Sequence, residues 1–160
     1  MPLGAVSMRG RAGYPPVETQ GNPSPRKIVI AVVDDDGSMR EAVTGLLRSH
    51  GYVAIAYERA EDFLNSERRR TTACLIADVQ MPGMTGPDLH DRLVASGEPI
   101  PTILITAYPD QAARTRALQN GVRGYLTKPF PEADLIACVQ GALDSRVPGD
   151  RAPPDDDREE

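Results

Sequence analysis

No apolar run in this chain approaches the ~20 residues that a membrane span requires. The amino-terminal stretch MPLGAVSMRGRAGYPP lacks the apolar core of a signal peptide. Both absences point to the cytoplasm and away from a membrane. Basic residues are equally sparse. Arg68-Arg69-Arg70 is the one basic run, and the formal net charge is −5. That balance argues against direct nucleic-acid binding, which needs clustered positive charge. The three arginines read as the solvated end of a helix, where they favour its dipole. Cysteine is limited to Cys74, in an apolar strand-like run, and Cys138, in a helical one. Without CxxC spacing these read as small buried hydrophobes, neither a disulfide nor a metal pair. His50 and His90 have no matching ligand or base at useful spacing. They read as polar residues on helix surfaces, His50 near a helix end.

What is present is enough for one domain. The chain has 160 residues, with 40% hydrophobic and 26% charged side chains, which allows a real core. Residues 1–25 hold several Pro and Gly without periodicity and read as a disordered leader, with Met8 an alternative start. Residues 146–160, RVPGDRAPPDDDREE, read as a disordered acidic tail. The folded domain is expected over residues 26–145.

Within those limits, strand-like and helix-like segments alternate. Ile28–Val33 is a continuous β-branched run, the pattern of a strand buried on both faces. Ser38-Met-Arg-Glu41 reads as a capping box, opening a helix with Met39, Val43, Leu46 and Leu47 inward, which Gly51 can end. A weaker strand is expected at Tyr52–Tyr57, then a helix over Ala60–Arg69 with Phe63 and Leu64 inward. Ala73–Asp78 is a third strand. The next helix has Pro87 in its first turn and Leu89, Leu93 and Val94 on its apolar face. Thr102–Thr106 is a strand, Gln111–Asn120 a helix with Gly121 after it, Gly124–Thr127 a strand, and Glu132–Asp144 the last helix. This (βα)5 alternation predicts a doubly wound parallel sheet of five strands with helices on both faces.

Five polar residues stand at the carboxyl ends of the apolar runs: Asp34, Asp35, Asp78, Thr106 and Lys128. In an open α/β sheet those ends line one crevice. Adjacent carboxylates repel, so a cluster such as Asp34-Asp35-Asp36 is usually exposed, capping or bound to a cation. Hard oxygen ligands on a rigid strand end suit Mg²⁺, and Asp78 would share that ion. The Thr106 hydroxyl can donate to a phosphoryl oxygen, and the small Ala107 leaves room beside it. Lys128 precedes Pro129, a bond that can be cis, in a turn that would aim the ammonium inward. The set predicts a metal-assisted site for phosphoryl groups.

The stretches VVDDDGSMREAV, LIADVQMPGMTGPDL, ILITAY and GYLTKPF resemble the receiver domain of bacterial two-component response regulators, over about residues 27–145. They are most similar to receivers of nitrogen-fixation and LuxR-type regulators. The resemblance implies a flavodoxin-like strand order, 2-1-3-4-5, and a signalling switch. It also implies no enzyme acting on outside substrates, only one that would catalyse its own phosphorylation and dephosphorylation. Asp78 would accept the phosphoryl group from the phosphohistidine of a sensor histidine kinase or phosphotransfer protein. Asp35, Asp78 and the Gln80 backbone carbonyl would ligate Mg²⁺, with Asp34 acting through a bound water. Lys128 would pair with phosphoryl oxygens, and Thr106 and the Ala107 N–H would bind the phosphoryl group once formed. Tyr125 matches the aromatic switch position that moves inward as Thr106 is drawn to the phosphate. Gln80 and Tyr108 match positions that tune how long the phosphate survives.

No helix-turn-helix follows the receiver-like part, so a stand-alone receiver is expected. Its output would run to an unknown protein target through the fourth helix, fifth strand and fifth helix. Two other readings compete. Asp34-Asp35-Asp36-Gly37-Ser38 fits the D-x-D-G-[ST] opening of haloacid-dehalogenase-type phosphatases. Those need a further acidic strand after the lysine, however, and Pro129-Phe130 leads straight into a helix. A receiver that serves only as a scaffold is disfavoured by the intact five-position set.

Overall fold

The computed structural model describes residues 27–144. The expected leader and acidic tail lie outside the described residues. Five parallel strands form one sheet in the order β2-β1-β3-β4-β5. They are β1 (Val29–Val33), β2 (Val53–Tyr57), β3 (Thr72–Asp78), β4 (Thr102–Thr106) and β5 (Gly124–Thr127). The helices are α1 (Gly37–Ser49), α2 (Ala60–Leu64), α3 (Gly86–Ala95), α4 (Gln111–Gln119) and α5 (Glu132–Asp144). This is the doubly wound (βα)5 fold of flavodoxin-like order.

The continuous apolar runs are explained by two cores, one on each sheet face. Alternate strand residues feed them, because successive side chains point to opposite faces. Ile30, Val32, Cys74, Ile76, Ile103 and Ile105 pack with Val43 and Leu47 of α1 and with Leu135 and Val139 of α5. Ala31, Val33, Leu75, Ala77 and Leu104 pack with Phe63 of α2 and with Leu89 and Leu93 of α3. β3 lies at the centre, and all of its residues are buried. α4 is bound far more lightly, since Ala117 is the one buried residue along it.

Several local expectations are corrected. The N-cap of α1 is Asp36 rather than Ser38: Asp36 Oδ1 accepts the Ser38 N–H at 3.0 Å and the Met39 N–H at 3.3 Å. The helix starts earlier because the chain turns at once after β1, with the Asp36 N–H donating to Asp34 Oδ1 at 2.9 Å. A reciprocal capping box does occur, at α3, between Thr85 and Asp88. The helix expected over Ala60–Arg69 is two pieces, α2 and a 3₁₀ turn at Glu67–Thr71 that carries the three arginines. His90 is buried, at 5% exposure, whereas Val94 is 49% exposed. The buried set on α3 is Gly86, Leu89, His90 and Leu93. That is the i, i+3, i+4, i+7 stripe, which takes in position 90 and leaves 94 at its margin. Burial lowers the His90 imidazole below its ordinary range, against an opposing pull from Asp91. Cys74 is buried and Cys138 half-buried, both free of disulfide. No helix among the described residues is long and apolar enough to cross a membrane.

The corrected cap gives an expected outcome. Asp36→Ala should lower stability by about 1 kcal/mol, and Ser38→Ala by only a few tenths. Urea unfolding of the metal-free protein checks this, and the reverse ranking would restore Ser38 as the cap.

Candidate functional site

Strand pairing alone brings the site together. β1 and β3 are neighbours with Val33 beside Ala77, so Asp34 and Asp78 leave the sheet side by side. β3 pairs with β4 through Asp78 and Ile105, which places Thr106 one step further along. β4 pairs with β5 through Thr106 and Thr127, and the Lys128 N–H donates to the Thr106 carbonyl at 2.7 Å. The Lys128–Pro129 peptide is cis.

Asp34 and Thr106 are fully buried, and Asp78 is nearly so. The Lys128 ammonium lies between the two carboxylates. Its Nζ is 3.2 Å from Asp34 Oδ2 and 3.4 Å from Asp78 Oδ1. Asp34 is held from three other sides. Its N–H donates to the Tyr57 carbonyl at 3.1 Å, its Oδ1 accepts from the Asp36 N–H, and its carbonyl accepts from Arg40 Nη1 at 2.7 Å. Thr106 Oγ1 donates to Gln80 Oε1 at 3.0 Å and accepts the Tyr108 N–H at 2.9 Å.

The charges are incompletely balanced. Burial pushes the Asp78 carboxyl up, the Asp34 charge pushes it further, and Lys128 pulls it back, leaving it at about 6. Burial works to lower the Lys128 ammonium, but Asp34 and Asp78 together outweigh it and hold it above its ordinary range. A single ammonium therefore does not neutralise the cluster. Carboxylate oxygens of Asp34, Asp35 and Asp78 all lie within 4.8 Å of one another. Asp35 is exposed, so the cluster is open to solvent on that side. Hard oxygen donors with uncompensated charge and one open side fit a small divalent cation that keeps some of its waters, such as Mg²⁺.

Asp34, Asp35, Asp78, Thr106 and Lys128 come together at this end of the sheet, whereas Tyr125 lies within β5 opposite Leu104. Ala107 and Tyr108 follow Thr106 and are exposed, Tyr108 at 71%. Tyr125 is half-buried against the Leu75 and Leu104 core. Its hydroxyl is shielded and has no hydrogen-bond partner among the described residues. Burial raises that hydroxyl's pKa, as does Asp110, while Arg114 opposes. Sequence reasoning missed two residues that shape the site. Arg40 anchors the Asp34 backbone, and its signal is only a long basic side chain one turn into α1. Gly86 lets α3 begin against β3, because a Cβ there would lie 2.4 Å from the Asp78 carbonyl oxygen and 2.9 Å from Leu104. Its signal was the Thr85-Gly-Pro-Asp88 start of α3.

A family model described as the response regulator receiver domain matches residues 30–140. The chain is 38% identical over 120 residues to the response regulator protein TodT of Pseudomonas putida, covering 75% of this chain and 53% of that protein. It is 32% identical to the transcriptional regulatory protein FixJ of Bradyrhizobium diazoefficiens, covering 74% of this chain and 58% of FixJ. The solved structure of full-length FixJ from B. japonicum superposes with a TM-score of 0.71 at 31% identity, over 78% of this chain and 61% of that one. The chain thus spans just over half the length of these curated relatives.

The raised Asp78 pKa has a consequence for stability. The native protein holds a proton on Asp78 up to about pH 6, whereas the unfolded carboxyl releases it near 3.8. Stability from this group is therefore greatest below pH 4, falls as pH rises towards 6, and stays low above it. Asp78→Asn removes the penalty and should gain on the order of 2 kcal/mol at pH 7 without metal. The difference between the two proteins across pH, measured by denaturant unfolding, isolates Asp78 from His90. A difference that does not change between pH 4 and 7 would refute it.

Proposed function

Because the chain belongs to the response regulator receiver domain family of two-component systems, we propose that it is a phosphorylation-activated switch whose phospho-acceptor is Asp78. The donor is a phosphohistidine on a sensor histidine kinase or phosphotransfer protein, and the working compartment is the cytoplasm. The observation that carries this reading is the convergence of Asp34, Asp35, Asp78 and the Lys128 ammonium, with Thr106 on the next strand.

With a pKa of about 6, Asp78 is mostly ionised at neutral pH. One carboxylate oxygen attacks phosphorus, the phosphorus–nitrogen bond to histidine breaks, and an acyl phosphate forms. A carboxylate approaching an anionic phosphoryl group needs positive charge nearby. The Lys128 ammonium is held at the site by Asp34 and can follow the charge as it moves onto the phosphoryl oxygens. Asp35, Asp78 and the Gln80 carbonyl, with Asp34 through a water, would hold Mg²⁺, which supplies further charge neutralisation. Thr106 and the Ala107 N–H then bind the phosphoryl group. The movement of Thr106 is read out by Tyr125 and by α4, whose light packing suits a mobile element.

The output face in this reading is α4, β5 and α5, acting on a protein target with no direct contact to nucleic acid. A second reading is favoured by the name of one relative, a transcriptional regulatory protein. In that reading the same face controls an attached or associated DNA-binding element.

Acetyl phosphate with Mg²⁺ should add one phosphoryl group, and Asp78→Ala should take up none, as read by intact mass and acid-labile label. Uptake by Asp78→Ala at the wild-type rate would sink the assignment. Lys128→Ala should keep Mg²⁺ binding but uncouple the site from the output face. Its amide resonances in α4 and β5 should shift much less on phosphorylation than those of the wild type. Equal shifts would contradict the role given to Lys128.

A further inference from the structure

Thr106 has a single hydroxyl proton, and it is given to the Gln80 carboxamide oxygen at 3.0 Å. The same hydroxyl accepts the Tyr108 N–H at 2.9 Å. A hydroxyl offers one donor and two acceptor positions. The phosphorylated state requires Thr106 to donate to a phosphoryl oxygen on Asp78. One proton cannot serve both acceptors.

The geometry around this hydrogen bond is well fixed. Gln80 follows Asp78 by two residues, and the intervening Val79 N–H donates to the Ile105 carbonyl at 2.8 Å. Thr106 is fully buried at the end of β4. The backbones that carry both partners are thus tied together, and the side chains alone decide whether the bond exists. Gln80 itself is exposed, so its amide has water as an alternative partner when Thr106 leaves. The Tyr108 N–H is bonded to the same oxygen, so its amide reports any movement of the Thr106 hydroxyl.

We propose that Gln80 is a positioning residue that latches Thr106 in the unphosphorylated arrangement and competes with the phosphoryl group for its proton. It thereby sets how strongly the resting state is favoured before any phosphate arrives. This rests on the receiver reading and goes beyond it, since it assigns the Gln80 side chain a role in the conformational equilibrium. Its backbone carbonyl, the group assigned to Mg²⁺, is untouched by side-chain substitution.

The test uses beryllofluoride with Mg²⁺, which stands in for the phosphoryl group on Asp78, titrated by tyrosine fluorescence. Gln80→Met keeps the side-chain length and removes the strong acceptor. It should bind beryllofluoride roughly two- to tenfold more tightly than the wild type, the loss of one competing hydrogen bond. In a Thr106→Ala background the same substitution should have no effect, because there is no proton to compete for. An unchanged affinity in the Thr106 background, or an equal gain in both, would overturn the latch. If the wild type takes up no beryllofluoride, the receiver reading fails on its own. The latch is then judged in the unliganded protein, where Gln80→Met should raise the microsecond-to-millisecond exchange of the Tyr108 amide in relaxation dispersion. A Tyr108 amide identical in both proteins would refute it.

Discussion

Asp34 and Asp78 lie side by side at the ends of neighbouring strands and share one ammonium, that of Lys128. Two buried carboxylates near one cation cannot both be well satisfied, and an exposed third, Asp35, adds to the same field. The strain has a fixed location because the sheet fixes it. β3 is central and buried along its length, so Asp78 cannot retreat into solvent. Asp34 is tied through its N–H, its carbonyl and one carboxylate oxygen. The cluster is relieved by a bound cation or by a proton on Asp78.

The surroundings of the cluster follow from that constraint. Gly86 lets α3 begin against the Asp78 carbonyl. Arg40 and Asp36 clamp the turn after β1 from the α1 side. Gln80, Thr106 and Tyr108 form a short hydrogen-bonded chain on the other side. One flank is therefore rigid and the other depends on a few side-chain hydrogen bonds.

Much of this was legible in the sequence because the sheet is parallel and doubly covered. Both faces of each central strand are buried, so IVIAVV and ACLIA stand out as unbroken apolar runs, and the residue after each run falls at the crevice. Asp34, Asp78, Thr106 and Lys128 were placed by that rule alone. The failures share a different cause. The Asp36 cap depends on how Asp34 turns the chain, which no local pattern states. A lone histidine on a helix suggests solvent, whereas the stripe begun by Gly86 and Leu89 includes position 90. Glycine after a periodic run signals a helix end, whereas Gly86 serves the close approach of α3 to β3. The Gln80–Thr106 contact joins the loop after β3 to the end of β4, and sequence spacing carries no signal for it.

α4 buries only Ala117 among its own residues. A phosphoryl group can bias a conformational equilibrium only by the difference in its interactions with the two states, a few hydrogen bonds and charge contacts. Had α4 been anchored by several leucines, as α3 is by Leu89 and Leu93, that difference would be too small to move it. In the proposed switch, the poor anchoring of this helix sets the energy scale of the transition and matches it to a single covalent modification.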